Sequence, residues 1–266
     1  DASLAAVGLA GFLIFFFMSS LIGISSGVQT ITARRLGEKK LGELAEALTA
    51  GFKLMLLFGI PLCIIGYLGA PIFFSLLNND PEVISIATPY FRYRILGVVF
   101  YTCNFLFRGY WNGIKRPTVY LMILVTTHLC NMFLNWVLIF GHLGAPEMGV
   151  AGAGLASTLS IMLGTVLYFS SGYILIKNQG FLNRFFGLKR TTLSLIKLGV
   201  PISIRQCLFA FSLLMIYYII GLLGTTELAI ANVLIQLLLF LLLPGIGFGI
   251  ASHTLVSHAL GENNRE

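Results

Sequence analysis

Charge is what this chain lacks most. Of its 266 residues only 10% are Asp, Glu, Lys or Arg, where an average soluble domain has about 25%. That shortage excludes an ordinary soluble enzyme, a disordered chain and a nucleic-acid module. Cysteine is scarce too. The four (Cys63, Cys103, Cys130 and Cys207) are far apart, with no CxxC and no Cys/His cluster. Neither a disulfide framework nor a metal site follows from such spacing; small apolar packing residues are the expected role. No GxxxxGK[ST], HExxH or GxSxG occurs, so nothing supports catalysis and no cofactor is expected.

Apolar sequence fills the space that charge leaves. Hydrophobic residues make up 57% of the chain and the mean hydropathy is +0.91. A membrane-spanning helix needs about 20 apolar residues. Runs without any Lys, Arg, Asp or Glu cover Ala2–Ala33, Leu54–Asn79, Pro117–Pro146, Met148–Ile176, Gln206–Thr226 and Leu228–Gly261. A seventh span, Tyr90–Tyr110, has Arg92 and Arg94 near one end and Arg108 near the other; long arginines at helix ends snorkel to the interface. Runs such as Phe12–Met18 and Leu237–Leu243 do not alternate, which excludes barrel strands and leaves helices, the structure that satisfies its own backbone in lipid. Asp1 before the first span and Arg34-Arg35 after it are the wrong flanks for a cleaved signal peptide.

The basic residues set an orientation. Arg34, Arg35, Lys39, Lys40 and Lys53, then Arg108, Lys115 and Arg116, then Lys177, Arg184, Lys189, Arg190 and Lys197, and finally Arg265, fall on one side. The other side holds Arg92 and Arg94 beside Asp80 and Glu82. Short loops rich in Lys and Arg stay in the cytoplasm. The chain is therefore expected to start outside and to end in the cytoplasm, as a multi-pass protein of the inner (plasma) membrane. The net charge of +7 reflects those loops, and no nucleic-acid partner is implied.

An internal repeat is the most informative feature. Residues 4–38 align without gaps on residues 228–262. The pairs Phe16/Phe240, Ile22/Ile246, Gly23/Gly247 and Thr30/Thr254 are identical, as is the terminal Leu-Gly-Glu of both copies. Six spans separate the copies, an even number, so both enter the membrane in the same direction, as in parallel repeats about an axis along the membrane normal. The implied whole is twelve helices in two six-helix lobes, with this chain as its middle. Residues 1–176 would then be most of the first lobe, 177–198 a cytoplasmic connector and 199–266 the start of the second lobe. Phe181, Leu182, Phe185 and Phe186, interleaved with Arg184, Lys189 and Arg190, fit either an amphipathic segment on the membrane surface or a solvated basic loop.

Polar residues inside spans are the functional candidates, because burying them in lipid is costly. His128, Asn131 and Asn135 stand at i, i+3 and i+7 and share about 60° of one helix face. They suit a cavity wall for a cation or a substrate, or equally a set of interhelical hydrogen bonds. Tyr101, Asn104 and Arg108 repeat the spacing, with Asn104 the cavity candidate and Arg108 an interfacial anchor. Gly149, Ala153 and Ser157 form a small-residue stripe for close packing, with Ser157 and Thr158 as minor cavity contacts. Gln29 and His253 occupy equivalent repeat positions; Asn232 and Gln236 are an i, i+4 pair in the last span. Pro61 and Pro201 are expected kinks.

Several segments resemble the multidrug and toxic compound extrusion (MATE) family of transporters. They are GVQTITARRLGEKK at 27–40, RGYWNGIKRP at 108–117, NMFLNWVLIFG at 131–141, PEMGVAGAGLAST at 146–158 and KLGVPISIRQ at 197–206. The resemblance implies a monomeric secondary antiporter. It would export amphipathic small molecules, organic cations above all, in exchange for sodium ions or protons. It also implies an Asn-x-x-x-Asp or Asn-x-x-x-Asn pair at 131 and 135; here the second residue is Asn135, which cannot titrate. No Asp or Glu lies deep in any span, so the coupling ion stays open between sodium and proton. A lipid-linked glycan flippase of the same superfamily and a heptahelical receptor are the alternatives. The repeat argues against the receptor.

The charge count makes a direct prediction. In intact cells an impermeant maleimide should modify cysteines placed at Asn79 and Glu147, and should reach cysteines at Lys115 and Lys189 only after permeabilisation. Labelling at 115 or 189 without permeabilisation would reverse the orientation.

Overall fold

The structure is a computed structural model that describes residues 2–77, 80–176, 189–221 and 225–263. Among the described residues it is all helix, with seven segments long and apolar enough to cross a membrane. They are α1 (Ala2–Gly37), α2 and α3 (Glu46–Leu54 and Ile60–Leu77, one span), α4 (Pro81–Gly113), α5 (Pro117–Phe140), α6 (Gly149–Ile176), α7 (Lys189–Gly221) and α8 (Thr225–Gly261).

Local chemistry sets the boundaries. Asp80 caps α4, its carboxylate accepting from the Glu82 amide at 2.9 Å, and Pro81 follows in the first turn. Both features favour a helix start. α4 therefore begins nine residues before the span that hydropathy alone marks out. Pro117 opens α5, and Gly141, at φ +71°, closes it in the left-handed conformation that glycine adopts freely. Pro61 has no amide hydrogen for the carbonyl of Leu57, and the turn just before it, Met55–Gly59, widens into a π-helix. A π-bulge is one way a helix absorbs such a lost bond. α7 starts at Lys189, so residues 189–198 of the expected connector are helical. Phe181, Leu182, Arg184, Phe185 and Phe186 lie outside the described residues.

α1 is the hub, packed against α4, α7 and α8, while α4 and α5 both lean on α6. Without a hydrophobic drive between helices in lipid, close approach depends on small residues. Gly109 of α4 lies against the backbone carbonyl of Ser25 in α1, and the Ser25 hydroxyl donates to the Phe105 carbonyl. Gly23 of α1 meets Gly199 of α7, and the Gly23 amide donates to the Ser203 hydroxyl at 3.2 Å. Between α1, α4 and α6 the fully buried side chains are large: Phe91, Ile95, Leu106, Phe107, Tyr110, Trp111 and Tyr168. The Phe107 ring stacks on Tyr168 at 5.3 Å. The outward faces of α3, α5 and α8 expose Leu68, Ile72, Met122, Met132, Leu241 and Phe248, a surface suited to lipid.

The basic end is tied by one arginine. Arg35 pairs with Glu46 at 3.1 Å and donates to the Glu43 carbonyl at 2.7 Å and to the Thr191 hydroxyl at 3.0 Å. It thus joins the end of α1 to the starts of α2 and α7. Beside it, the hydrogen bond from Lys40 holds the Glu38 carboxyl below its ordinary value, against the opposing effect of burial and with lesser help from Arg34.

The glycine contacts predict a contrast. Gly109→Val has no room at the α1 crossing and should cost about 1–3 kcal/mol, the usual range for overpacking. Gly8→Ala and Gly11→Ala, with nothing within 4 Å of the added carbon, should be neutral or slightly stabilising. Thermal unfolding in detergent checks both; equal losses would mean that the α1–α4 crossing is not close-packed.

Candidate functional site

Two places collect the polar residues of the membrane interior. The first is a cavity of about 210 Å³ between α4, α5 and α6. α4 supplies Arg94, Tyr101, Asn104 and Phe105, whose spacing keeps them on one stripe. α5 supplies Tyr120, Leu124, Thr127, His128 and Asn131; α6 supplies Ser157, Ser160, Ile161 and Tyr168.

Its hydrogen bonds have a definite polarity. Ser157 donates to the Ala153 carbonyl and Ser160 to the Ala156 carbonyl, each at 2.9 Å. Both hydroxyls are thereby left as acceptors, and the Asn131 amide donates to Ser160 at 3.2 Å and to Ser157 at 3.4 Å. Asn135 donates to the Asn131 oxygen at 3.2 Å, and its own side-chain oxygen is buried with no partner. One turn further toward the basic end, Asn104 donates to the Ile161 carbonyl at 3.1 Å and accepts from Thr165 at 2.8 Å. Tyr168 donates to the Tyr120 carbonyl at 3.1 Å and closes the floor. Thr158 turns away from the cavity; its hydroxyl donates to the Tyr93 carbonyl at 2.7 Å, which makes it a packing contact between α6 and α4.

Arg94 corrects an expectation. Hydropathy placed it at a helix end, snorkelling. The capped start at Asp80 puts thirteen helical residues ahead of it, about 20 Å of helix. The Thr158–Tyr93 bond holds Arg94 level with Ser157 and so with Asn131. Its Nε is buried with no partner. The signal was present in the sequence: Arg94 stands seven residues before Tyr101, on the same stripe. Tyr120, Ser160 and Tyr168 also escaped the sequence reading, because single hydroxyls in apolar helices carry no pattern of their own.

The second place is the meeting of α1 and α8 at their basic ends. The Gln29 amide donates to the Thr254 hydroxyl at 2.7 Å and to the Ile250 carbonyl at 3.1 Å. Thr30 Oγ1 lies 2.8 Å from His253 Nε2. Thr30 Oγ1 also lies 2.9 Å from the Ser26 carbonyl, to which it donates. The two contacts are reciprocal under the repeat: Gln29 corresponds to His253 and Thr254 to Thr30. Further along both helices, a carbon added to Gly37 would strike the His258 carbonyl, and one added to Gly261 would strike the Arg34 carbonyl, again reciprocally. The two repeat copies thus touch about a local two-fold axis. From Val233 to Gly249 the described α8 side chains are exposed apart from Ile235, and Gly245, Gly247 and Gly249 have open space around them. Asn232 and Gln236 lie outside the described side chains.

A larger cleft of about 600 Å³ runs between α1, α3 and α7, lined by Phe16, Leu21, Phe58, Leu62, Ile204 and Phe211 among others. None of the polar residues singled out from the sequence lines it. Arg205 is exposed.

Comparison with known proteins agrees on one family. The MatE family model matches residues 1–137 and 201–266. A probable multidrug resistance protein NorM of Bradyrhizobium diazoefficiens is 29% identical over 272 residues, covering 99% of this chain and 57% of the relative. A MOP superfamily transporter from Pyrococcus furiosus, described as having a binding pocket of reverse polarity, superposes with a TM-score of 0.87 at 20% identity, over 99% of this chain and 58% of that one. The outward-facing conformation of a multidrug resistance MATE family transporter gives 0.86 at 20% identity, over 98% and 58%. At that identity the two structures establish the fold. The chain spans less than three fifths of the length of each of these proteins.

The α5–α6 network predicts unequal costs. Asn131→Leu strands Asn135 and removes the bonds to both serines, and should lose about 1–2 kcal/mol, since membrane hydrogen bonds average about 0.6 kcal/mol each. His128→Leu, whose ring makes no hydrogen bond among the described residues, should lose about 0.5 kcal/mol or less. Unfolding in SDS titrations measures both; equal losses would mean that the network is not formed.

Proposed function

The chain belongs to the MatE family, and from that premise we propose that it works as the pathway of a secondary antiporter that exports small amphipathic molecules by alternating access. The observation that carries the proposal is the reciprocal contact of α1 and α8. Transport between two repeats needs a seal that closes on one side of a central site while the other side stays open. Gln29–Thr254 and Thr30–His253 tie the repeat copies near the basic end of both helices. With Lys- and Arg-rich loops in the cytoplasm, the seal is cytoplasmic.

The seal is built to be broken. Four hydrogen-bonding side chains and two glycine contacts join the copies, and side-chain bonds in membranes are worth about 0.6 kcal/mol apiece. Coupling to a sodium or proton gradient supplies the drive. Asn131, Asn135, Ser157 and Ser160 form a neutral hydrogen-bonded set within one lobe, unable to carry a proton by itself. The organic cations implied by the family resemblance would gain from a carboxylate, and among the described lining residues there is none.

Thr30→Cys and His253→Cys, bridged by a short bis-methanethiosulfonate in the full-length protein, should stop gradient-driven dye efflux, and reduction should restore it. Efflux that continues at the uncrosslinked rate through a fully bridged population would refute alternating access about this contact.

A further inference from the structure

The polar cavity of the α4–α6 lobe is charged in one sense. Arg94 lines it near the level of Asn131 and Ser157, and its Nε is buried without a partner. Among the described residues Arg94 makes no hydrogen bond and no ion pair. The described acidic residues all sit elsewhere: Glu38, Glu43, Glu46, Asp80, Glu82, Glu147 and Glu262 lie in connections or in the first turn of a helix. Arginine keeps its charge in proteins. A guanidinium without an ion-pair partner inside a helix bundle is costly, and ionisable residues within spanning helices mark substrate or ion routes.

The surroundings make the charge usable. The Asn131 amide donates to Ser157 and Ser160, and the Asn104 amide to the Ile161 carbonyl, which fixes both side chains in the cavity wall. Tyr168 and Tyr120 close the floor through their hydrogen bond. Below them on the α4 stripe, Arg108 lies 4.0 Å over the face of Phe105, itself a lining residue, and adds positive field from the basic end. Arg92, two residues from Arg94, is engaged differently: it donates to the Tyr67 carbonyl at 3.3 Å and lies 5.2 Å over the Tyr67 ring.

We propose that this cavity is an oxyanion-binding subsite, in which Arg94 receives a carboxylate or phosphate group of the transported molecule. The inference rests on the transporter reading and refines its cargo: an amphipathic molecule whose head is anionic. A volume of about 210 Å³ admits such a head with its immediate substituents and leaves the apolar remainder outside. A planar guanidinium suits either group, because its fork matches two oxygens at once.

Equilibrium binding to the full-length protein in maltoside micelles tests it without requiring transport. Radiolabelled benzoate and phenyl phosphate should bind and benzylamine should not. Arg94→Gln should weaken benzoate by about tenfold or more and Arg94→Lys by less, as expected for loss of a charge-assisted bidentate pair. Arg92→Gln should leave the affinity unchanged and serves as the folded control. Competition by added phosphatidylglycerol would identify a lipid phosphate as the natural head; indifference to it would identify a soluble anion. Benzylamine binding in place of benzoate would overturn the proposal, as would benzoate binding equally to wild type and to both Arg94 variants. Either result could accompany normal cross-link-sensitive efflux, so the subsite can fail while the transporter reading stands.

Discussion

A backbone amide inside hydrocarbon has no water to fall back on, and every other feature of this chain follows from that constraint. It forces continuous helices. It makes small residues valuable, because once each backbone is satisfied internally, helices associate through packing and a few side-chain bonds. Gly109 against Ser25 and Gly23 against Gly199 bring α1 close enough to α4 and α7 for large aromatics such as Trp111 and Phe107 to fill the remaining space. The same constraint explains where irregularity is allowed. The widened turn at Met55–Gly59 remains hydrogen-bonded in another register ahead of Pro61.

Polarity is distributed with equal economy. Most hydroxyls inside the helices bond back to a carbonyl of their own helix, as Thr102, Thr127, Ser160 and Ser212 do. Ser25 and Thr158 instead bond singly to the carbonyl of another helix, and two clusters gather several interhelical bonds. One ties the ends of α1 and α8; the other surrounds the lobe cavity. Both combine polar side chains from helices distant in sequence, and the cavity alone places a guanidinium among them. The apolar cleft beside α7 is larger, yet has few groups that could orient a ligand.

Hydropathy and charge made the spans legible, since seven long apolar stretches admit little else. The repeat was legible because its glycines, threonine and Leu-Gly-Glu survive on a background of interchangeable Leu, Ile and Phe. Asn131, Asn104 and His128 were visible as polar residues at helical spacing, and all three line the cavity. Thr158 was read as a cavity contact and is used instead to pack α6 on α4. Arg94 was misplaced for a plain reason. The span read from hydropathy begins at Tyr90, four residues before Arg94, whereas the helix begins at its cap, and Asp80 with Pro81 lies well before Arg94. Partners across helices, such as Ser160 for Asn131 or Thr254 for Gln29, are tertiary facts that no local pattern encodes.

The reciprocal contact at the end of α1 and α8 also records an ancestry. If one gene was doubled and fused, the half-length chain that preceded it met a second copy of itself through the same surface. In that ancestor both halves of the contact were identical, with one residue pairing to the threonine beside it in the partner, twice over. The two threonines have been kept, as Thr30 and Thr254, while their partners have drifted apart into Gln29 and His253. Glutamine and histidine share one relevant property, a side-chain nitrogen that reaches a hydroxyl oxygen. Fusion frees each half to vary without its twin, and at this contact the two halves differ in the nitrogen-bearing side chain, whose chemistry can be supplied in more than one way.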